Sequence, residues 1–320
     1  MSKSASPNAK PPKGRLALIA GPTASGKSDC AVELALALEK AGKQAVVINA
    51  DSAQVYADLR ILSARPTEDE MRGVPHRLFG VWDGAEACSA AEWADAAKRE
   101  IENAHLAEMV PILVGGTGLY IRTLLDGIAP VPPIHEHVRE AVRAMETADL
   151  YDAVQREDPE YARSLRPADR QRLARALEVV RSTGRSLLAW QRDEKAGGIG
   201  DSVQLAPLII LPEREWLYER CNQRFAWMMQ HGAVHEVEKL LARELSADLP
   251  VMRAIGVPQI ADYLRGATSR EEAIAHGQQV TRQYAKRQYT WLRHQPPDHW
   301  PLKIPENISL PTDFEILFSD

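Results

Sequence analysis

The chain is short of the features that would tie it to a disulfide scaffold, a metal cluster or a membrane. Its three cysteines, Cys30, Cys88 and Cys221, are widely separated, odd in number and form no C-x-x-C pair. Neither a disulfide framework nor a cysteine zinc site is expected, and this usage suits a reducing cytosol. His231 and His235 lie four apart without the glutamate of an H-E-x-x-H motif, so they are expected to be solvent-facing or packed. No apolar run approaches the roughly 20 residues of a membrane span. An excess of positive charge is also missing. The net charge is −5, so any RNA contact must come from local basic patches. Lys3, Lys10 and Lys13 precede an apolar stretch, as in a secretory leader. That stretch is short and runs into a glycine loop, so it reads as a strand, with residues 1–13 as a disordered tail.

What is present begins at that glycine loop. Residues 21–28 read GPTASGKS, directly after the apolar run 15–20 and before a helix-like stretch. Strand, G-x-x-x-x-G-K-S and helix in this order are a phosphate-binding P-loop. Gly21, Pro22, Thr23, Ala24, Ser25 and Gly26 form the loop whose backbone N–H groups meet phosphate oxygens. Lys27 adds a point charge, Ser28 a hydroxyl for Mg²⁺, and the helix N-terminus a favourable dipole. The motif predicts a grip on a di- or triphosphate without saying what is done with it.

The hydrophobic content of 45% and charge of 26% are ordinary for a globular protein, and 320 residues allow two domains. Segments 16–20, 45–50, 112–114 and 205–211 read as buried parallel strands, with 76–81 as a candidate fifth. Helical stretches at 28–40 and 89–106 separate them. The expected fold is α/β: a P-loop NTPase-like parallel sheet with a helical insertion and a helical C-terminal region. Pro130, Pro132 and Pro133 open the insertion, and Gly197, Gly198 and Gly200 close it. This places a core at 14–133 and 201–300, an insertion at 134–200, and tails at 1–13 and 301–320.

Asp51 follows the second strand, where ligands of open α/β sheets sit. It suits a magnesium ligand or a base, and equally a helix N-cap or turn residue. The third strand ends in Gly115-Gly116-Thr117, where many P-loop ATPases carry an aspartate. Between Arg163 and Arg185 seven arginines (163, 166, 170, 172, 175, 181, 185) face two acids, Asp169 and Glu178. This is either a solvated helix face or a set of forked phosphate contacts. Residues 281–293 combine basic residues with three aromatics and no acid, which suits RNA or, for the aromatics, a core. Trp291 and Leu292 are expected to pack, leaving Arg282, Lys286, Arg287 and Arg293 for RNA.

Taken in order, GPTASGKS at 21, NADSAQVY at 49, VPHRL at 74, VGGTGLYIR at 114, QRLARALEV at 171, RCNQRF at 220 and TRQYAKRQYTWLR at 281 resemble the tRNA isopentenyltransferase family in its bacterial form, the tRNA dimethylallyltransferases. The resemblance runs from about 14 to 295. It implies transfer of a dimethylallyl group from dimethylallyl pyrophosphate to the exocyclic N6 amine of the adenosine 3′ of the tRNA anticodon. The pyrophosphate would sit in the P-loop, with no ATP hydrolysed. By the same resemblance Asp51 is the general base, Thr117 contacts the reacting site, and Arg224 stabilises the leaving group with Lys27 and Mg²⁺ on Ser28. The tRNA contacts carried over are Asp51, Ser52, Ala53, Gln54, Thr117, Arg139, Gln171, Arg172, Leu173, Ala174, Arg175 and Arg253, beside Arg282, Lys286 and Arg287. The chain departs from the family after Gly256, where Val257-Pro258 replace an aromatic and a basic residue. A cytoplasmic monomer acting on the anticodon stem-loop is expected. The rival readings are a small-molecule or nucleotide kinase, with the insertion as its lid, and a non-catalytic RNA-binding P-loop protein.

Overall fold

The computed structural model describes residues 13–319. Most of the tail expected at 1–13 therefore lies outside the described residues. Six strands form one sheet: β1 (Gly14–Ala20), β2 (Ala45–Asn49), β3 (His76–Arg77), β4 (Val110–Gly115), β5 (Val203–Ile210) and β6 (Leu302–Lys303), in the order β3-β2-β4-β1-β5-β6. Every pairing is parallel, with Ile19 opposite both Val114 of β4 and Leu208 of β5. The strands run nearly unbroken in Val, Ile, Leu and Ala because both faces are covered. Leu16 and Leu18 of β1 share one core with Trp93, Ile121 and Leu124 and with the helices Arg214–Gln230 and Arg270–His294. Ala17 and Ile19 point the other way, into a core with Ala31, Leu34 and Leu38 of the helix Lys27–Lys40. The period of two along β1 thus divides the apolar residues between two layers.

The chain divides into two compact units, residues 126–198 and the remainder. The smaller unit holds the helices Glu136–Arg143, Thr147–Glu157 and Arg170–Thr183, packed through Val142, Leu150, Val154, Leu173 and Leu177. It begins before the proline cluster. Ile128 and Ala196 exchange backbone hydrogen bonds of 3.1 Å in both directions, which closes the base of the unit ahead of Pro130.

The tail expected at 301–320 is a correction. Leu302 and Lys303 extend the sheet beside β5. Phe314 and Leu317 are fully buried in the core against the P-loop helix, and Lys303 pairs with Asp313 at 2.5 Å. The prolines that suggested a loose tail instead start short helical turns at Pro305 and Pro311, a position where a missing N–H is harmless.

Candidate active site

The phosphate loop leaves β1 at Ala20 and enters its helix at Lys27. Gly26 caps that helix with φ +87°, a left-handed conformation that glycine adopts without cost. Gly21 N–H donates to the Gly115 carbonyl at 3.1 Å, anchoring the loop to the end of β4. Residues 24–29, with His76, Arg220 and Arg224, line a cavity of about 200 Å³. Lys27 is only 8% exposed, and its Nζ donates to the Pro22 carbonyl at 3.4 Å. Burial pushes its pKa down to about 8; Asp51 opposes the fall and Arg224 adds to it. Arg224, which donates to the Thr23 hydroxyl, is also drawn below its ordinary range by burial. Arg220 donates to the Ala24 carbonyl at 3.1 Å and lies over the Trp216 ring. The buried Lys27, the half-buried Arg224 and the exposed Arg220 beside helix N-terminal N–H groups form a site suited to an anion.

The neighbouring loop presents the carboxylate. Asn49 ends β2 buried, held by Trp93 Nε1 donating to its carbonyl at 2.9 Å. Its side chain accepts from Asp51 N–H at 2.9 Å and donates to the Asp51 carbonyl at 3.0 Å. Asp51 is 7% exposed, with one oxygen receiving Ala53 N–H at 3.0 Å. The G-G-T turn acquires a physical reason here. A Cβ at Gly115 would lie 2.1 Å from the Ala50 carbonyl oxygen, so only glycine lets the ends of β2 and β4 come together. Thr117 then receives Ser52 N–H at 3.0 Å.

Asp51, Ser52, Thr23, Arg224 and Tyr284 line one side of a second cavity of about 300 Å³, and Leu59, Leu62, Phe225, Met228 and Ile255 contribute apolar wall. Arg224 lines both cavities. A cationic phosphate site therefore shares Arg224 with an apolar chamber that contains a carboxylate. That arrangement can bind an anionic group with an apolar substituent and take a proton from a second reactant. Among the described residues no three His, Cys, Asp or Glu gather into a metal-binding group. A loop hydroxyl such as Ser28 nonetheless fits Mg²⁺ held chiefly by substrate phosphates and water.

Several expected site residues sit differently from their anticipated roles. Thr117 is half-buried, and its hydroxyl receives Ser52 N–H beside Asp51. The Gln54 amide donates to the carbonyls of Ser63 and Ala64 at 3.1 and 2.8 Å, so it braces the loop. Arg282 donates to Asn222, whereas Lys286 and Arg287 are exposed. Arg253 and Arg287 reach the chamber. Leu292 is fully buried and Trp291 packs against the core, as expected. Val257 is buried, while Pro258 is exposed.

Within the smaller unit Leu173 is fully buried in its core, which overturns it as an RNA contact. Helical periodicity turns it inward from Gln171 and Arg172, which are exposed, while Ala174 is half-buried. The arginine stripe also divides. Arg170 donates to the carbonyls of Arg143 and Met145, Arg181 forks onto Glu157 at 2.7 and 2.9 Å, and Arg185 forks onto Asp193. Arg163 and Arg166 are exposed. Arg175 lies near Arg139, which adds to the lowering of its pKa caused first by burial.

Two residues were missed as parts of the site. Tyr284 hydrogen-bonds Thr117 and Ser52; burial pushes its pKa up, and Asp51 adds to the rise. Gln288, 5% exposed, accepts Thr23 N–H at 2.7 Å and donates to the Gly116 carbonyl at 3.0 Å. The signal for Gln288 was a polar residue in register with Gly277, Thr281, Ala285 and Leu292, all buried on one helix face.

A family model described as IPP transferase matches residues 54–295. The chain belongs to the IPP transferase family. It is 65% identical over 309 residues to a tRNA dimethylallyltransferase of Erythrobacter litoralis, covering 97% of this chain and 96% of that one. A tRNA isopentenylpyrophosphate transferase from Bacillus halodurans has a similar structure, with TM-score 0.67, 32% identity and 95% of each chain covered. A eukaryotic dimethylallyltransferase solved acting on tRNA gives TM-score 0.70 at 26% identity, over 87% of this chain and 70% of that one. The IPP transferase assignment agrees with the P-loop fold and with the paired cavities. Among the described residues no helix is long and apolar enough to cross a membrane.

Proposed function

We propose that this chain is a transferase that moves a dimethylallyl group from dimethylallyl pyrophosphate to the N6 amine of the adenosine 3′ of a tRNA anticodon. The observation that carries this reading is the junction at Arg224, where a cationic phosphate cavity meets an apolar chamber holding Asp51. As the allylic C–O bond breaks, negative charge grows on pyrophosphate. Lys27, Arg224 and the loop N–H groups stabilise it in a site sheltered from water. Mg²⁺ bound through Ser28 and the phosphates would supply further neutralisation of that charge. The developing allyl cation is held by the apolar wall. The adenine amine attacks the freed carbon and its proton passes to Asp51, because the amine lone pair is delocalised and needs a base. The target base must leave the anticodon stack to enter the chamber.

RNA contact is assigned to Ser52, Ala53, Arg253, Lys286 and Arg287 in the core and to Arg139, Gln171, Arg172 and Arg175 in the smaller unit. A tRNA acceptor supports a cytoplasmic location. The test is incubation with dimethylallyl pyrophosphate, Mg²⁺ and unmodified tRNA, followed by nucleoside mass analysis. Prenylated adenosine with release of pyrophosphate is expected. ATP consumption with a small acceptor, and no tRNA product, would replace this reading with the kinase.

A further inference from the structure

Gln288 has a placement that neither phosphate binding nor RNA contact accounts for. It follows the exposed Lys286 and Arg287 on the helix Arg270–His294, yet its own side chain is buried. Its Oε1 accepts the N–H of Thr23, the phosphate-loop residue whose hydroxyl receives Arg224. Its Nε2 donates to the carbonyl of Gly116, next to the Thr117 that holds Ser52 beside Asp51. One planar amide therefore joins the half of the site that binds the leaving group to the half that carries the base. The packing around it is close: a Cβ at Gly116 would fall 2.4 Å from Gln288 Nε2 and 2.6 Å from the Gly21 carbonyl oxygen. Bridging an N–H and a carbonyl at this reach requires a donor and an acceptor on the same side-chain end, which the glutamine amide provides.

We propose that Gln288 is a positioning residue for the transfer step, fixing the phosphate loop against the 115–117 loop so that the allylic carbon and the acceptor amine meet at reacting distance. This rests on the prenyl-transfer reading. Each substrate has its own contacts, so each still binds without the clamp. The rate depends on their relative placement, where an error of about 1 Å costs on the order of 10²-fold.

The experiment compares wild type, Gln288→Met and Gln288→Glu. It measures the single-turnover rate at saturating dimethylallyl pyrophosphate and anticodon stem-loop, and separate Kd values for inorganic pyrophosphate and the stem-loop. Methionine keeps the volume and removes both hydrogen bonds. Transfer should slow by about 10- to 100-fold while each Kd moves by less than about threefold. In Gln288→Glu the ionised carboxylate loses the donor to Gly116, but the protonated carboxyl regains both donor and acceptor. The rate of Gln288→Glu relative to wild type at the same pH should therefore climb as pH falls, and that of Gln288→Met should stay flat. Both Kd values weakening in step with the rate, or no recovery of Gln288→Glu at low pH, would overturn the clamp and leave Gln288 as packing. An inert wild type overturns the prenyl-transfer reading and the clamp with it. A productive wild type with an unimpaired Gln288→Met overturns the clamp alone.

Discussion

The two units of the molecule use positive charge in opposite ways. In the core, Lys27 is almost wholly buried, and burial lowers the pKa of both Lys27 and Arg224. In the smaller unit the arginines lie outside a leucine and valine core, and Arg170, Arg181 and Arg185 are fastened to neighbouring carbonyls and carboxylates. A buried cation facing a cavity is held at a free-energy cost that a bound anion removes. An exposed arginine on a carboxylate is scaffold, at about 0–1 kcal/mol. Counting charge along the chain weighs the seven arginines of the insertion above two cations of the core. Burial reverses that weighting.

The core side of the contrast is tested hardest at Asp51, among the described residues the one carboxylate on the chamber wall. Asp51→Ala should reduce single-turnover transfer by about 10²–10⁴-fold, the usual loss of a general base. Stem-loop affinity should stay near that of wild type. Near-normal single-turnover rates in the variant would remove Asp51 from the proton transfer and leave the core distinguished only by its anion site.

Lys27 sharpens the comparison through stability. Its folded pKa of about 8 lies below the ordinary 10.5, so between those values the unfolded chain binds more protons than the folded one. Stability of the ligand-free protein should therefore rise with pH across that window, and below about pH 8 the full cost of the buried charge is present. That cost is on the order of 3 kcal/mol, from about 1.4 kcal/mol per pKa unit. Lys27→Met should stabilise the ligand-free protein at pH 7, flatten its stability between pH 8 and 10, and abolish the rise in Tm on adding pyrophosphate. Denaturant midpoints across this pH range measure the first two effects and thermal melts the third. A variant less stable than wild type at pH 7 would mean that Lys27 is already neutralised within the fold.

The parts of the site legible in the sequence are those that lie in one continuous run. Strand, loop and helix around Lys27, and the ends of β2 and β4 with Asp51 and Thr117, depend on local order, and parallel pairing then brings them together. Arg224 is marked only by family resemblance, because nothing local shows that an arginine on helix Arg214–Gln230 faces a loop about 200 residues earlier. Tyr284 and Gln288 are masked in the sequence by the basic residues between them, Lys286 and Arg287, which belong to the exposed face of the same helix. Leu173 lies within a family motif, yet helical spacing points it at Leu177 and the core. At the C-terminus, the prolines mask the apolar residues Phe314, Ile316, Leu317 and Phe318, which pack on the core but lie in a segment too short to form a recognisable period.

Tyr284 offers a smaller effect within the core. Its hydroxyl supports the Thr117–Ser52 contact beside Asp51. Tyr284→Phe keeps the ring and loses only that hydrogen bonding, worth about 0.5–1.5 kcal/mol. Transfer should slow by roughly 2- to 10-fold at saturating substrates, with the pyrophosphate Kd unchanged. A larger loss, accompanied by weaker pyrophosphate binding, would extend the influence of Tyr284 across to the phosphate loop.

The smallest expected effects separate the arginines of the insertion from one another. Arg139, Arg172 and Arg175 are proposed to meet RNA phosphates. Arg172 and Arg175 have only loose acidic partners, at 3.5 and 3.8 Å. Replacing any one with alanine should weaken stem-loop binding modestly and lower the slope of log K against log salt by about 0.7–0.9, one phosphate contact's worth of released counterions. Arg181 is the control from the same helix. It forks onto Glu157, so Arg181→Ala should change stability by about 0.2–1 kcal/mol and leave the salt slope where it was. Salt titrations of all four variants read the difference directly. If Arg181→Ala lowers the slope as much as Arg175→Ala does, a carboxylate partner does not withdraw an arginine from RNA, and the division of the stripe into scaffold and contact fails. If none of the four changes the slope, the insertion does not meet the phosphates, and RNA affinity must come from Lys286, Arg287 and Arg253 of the core.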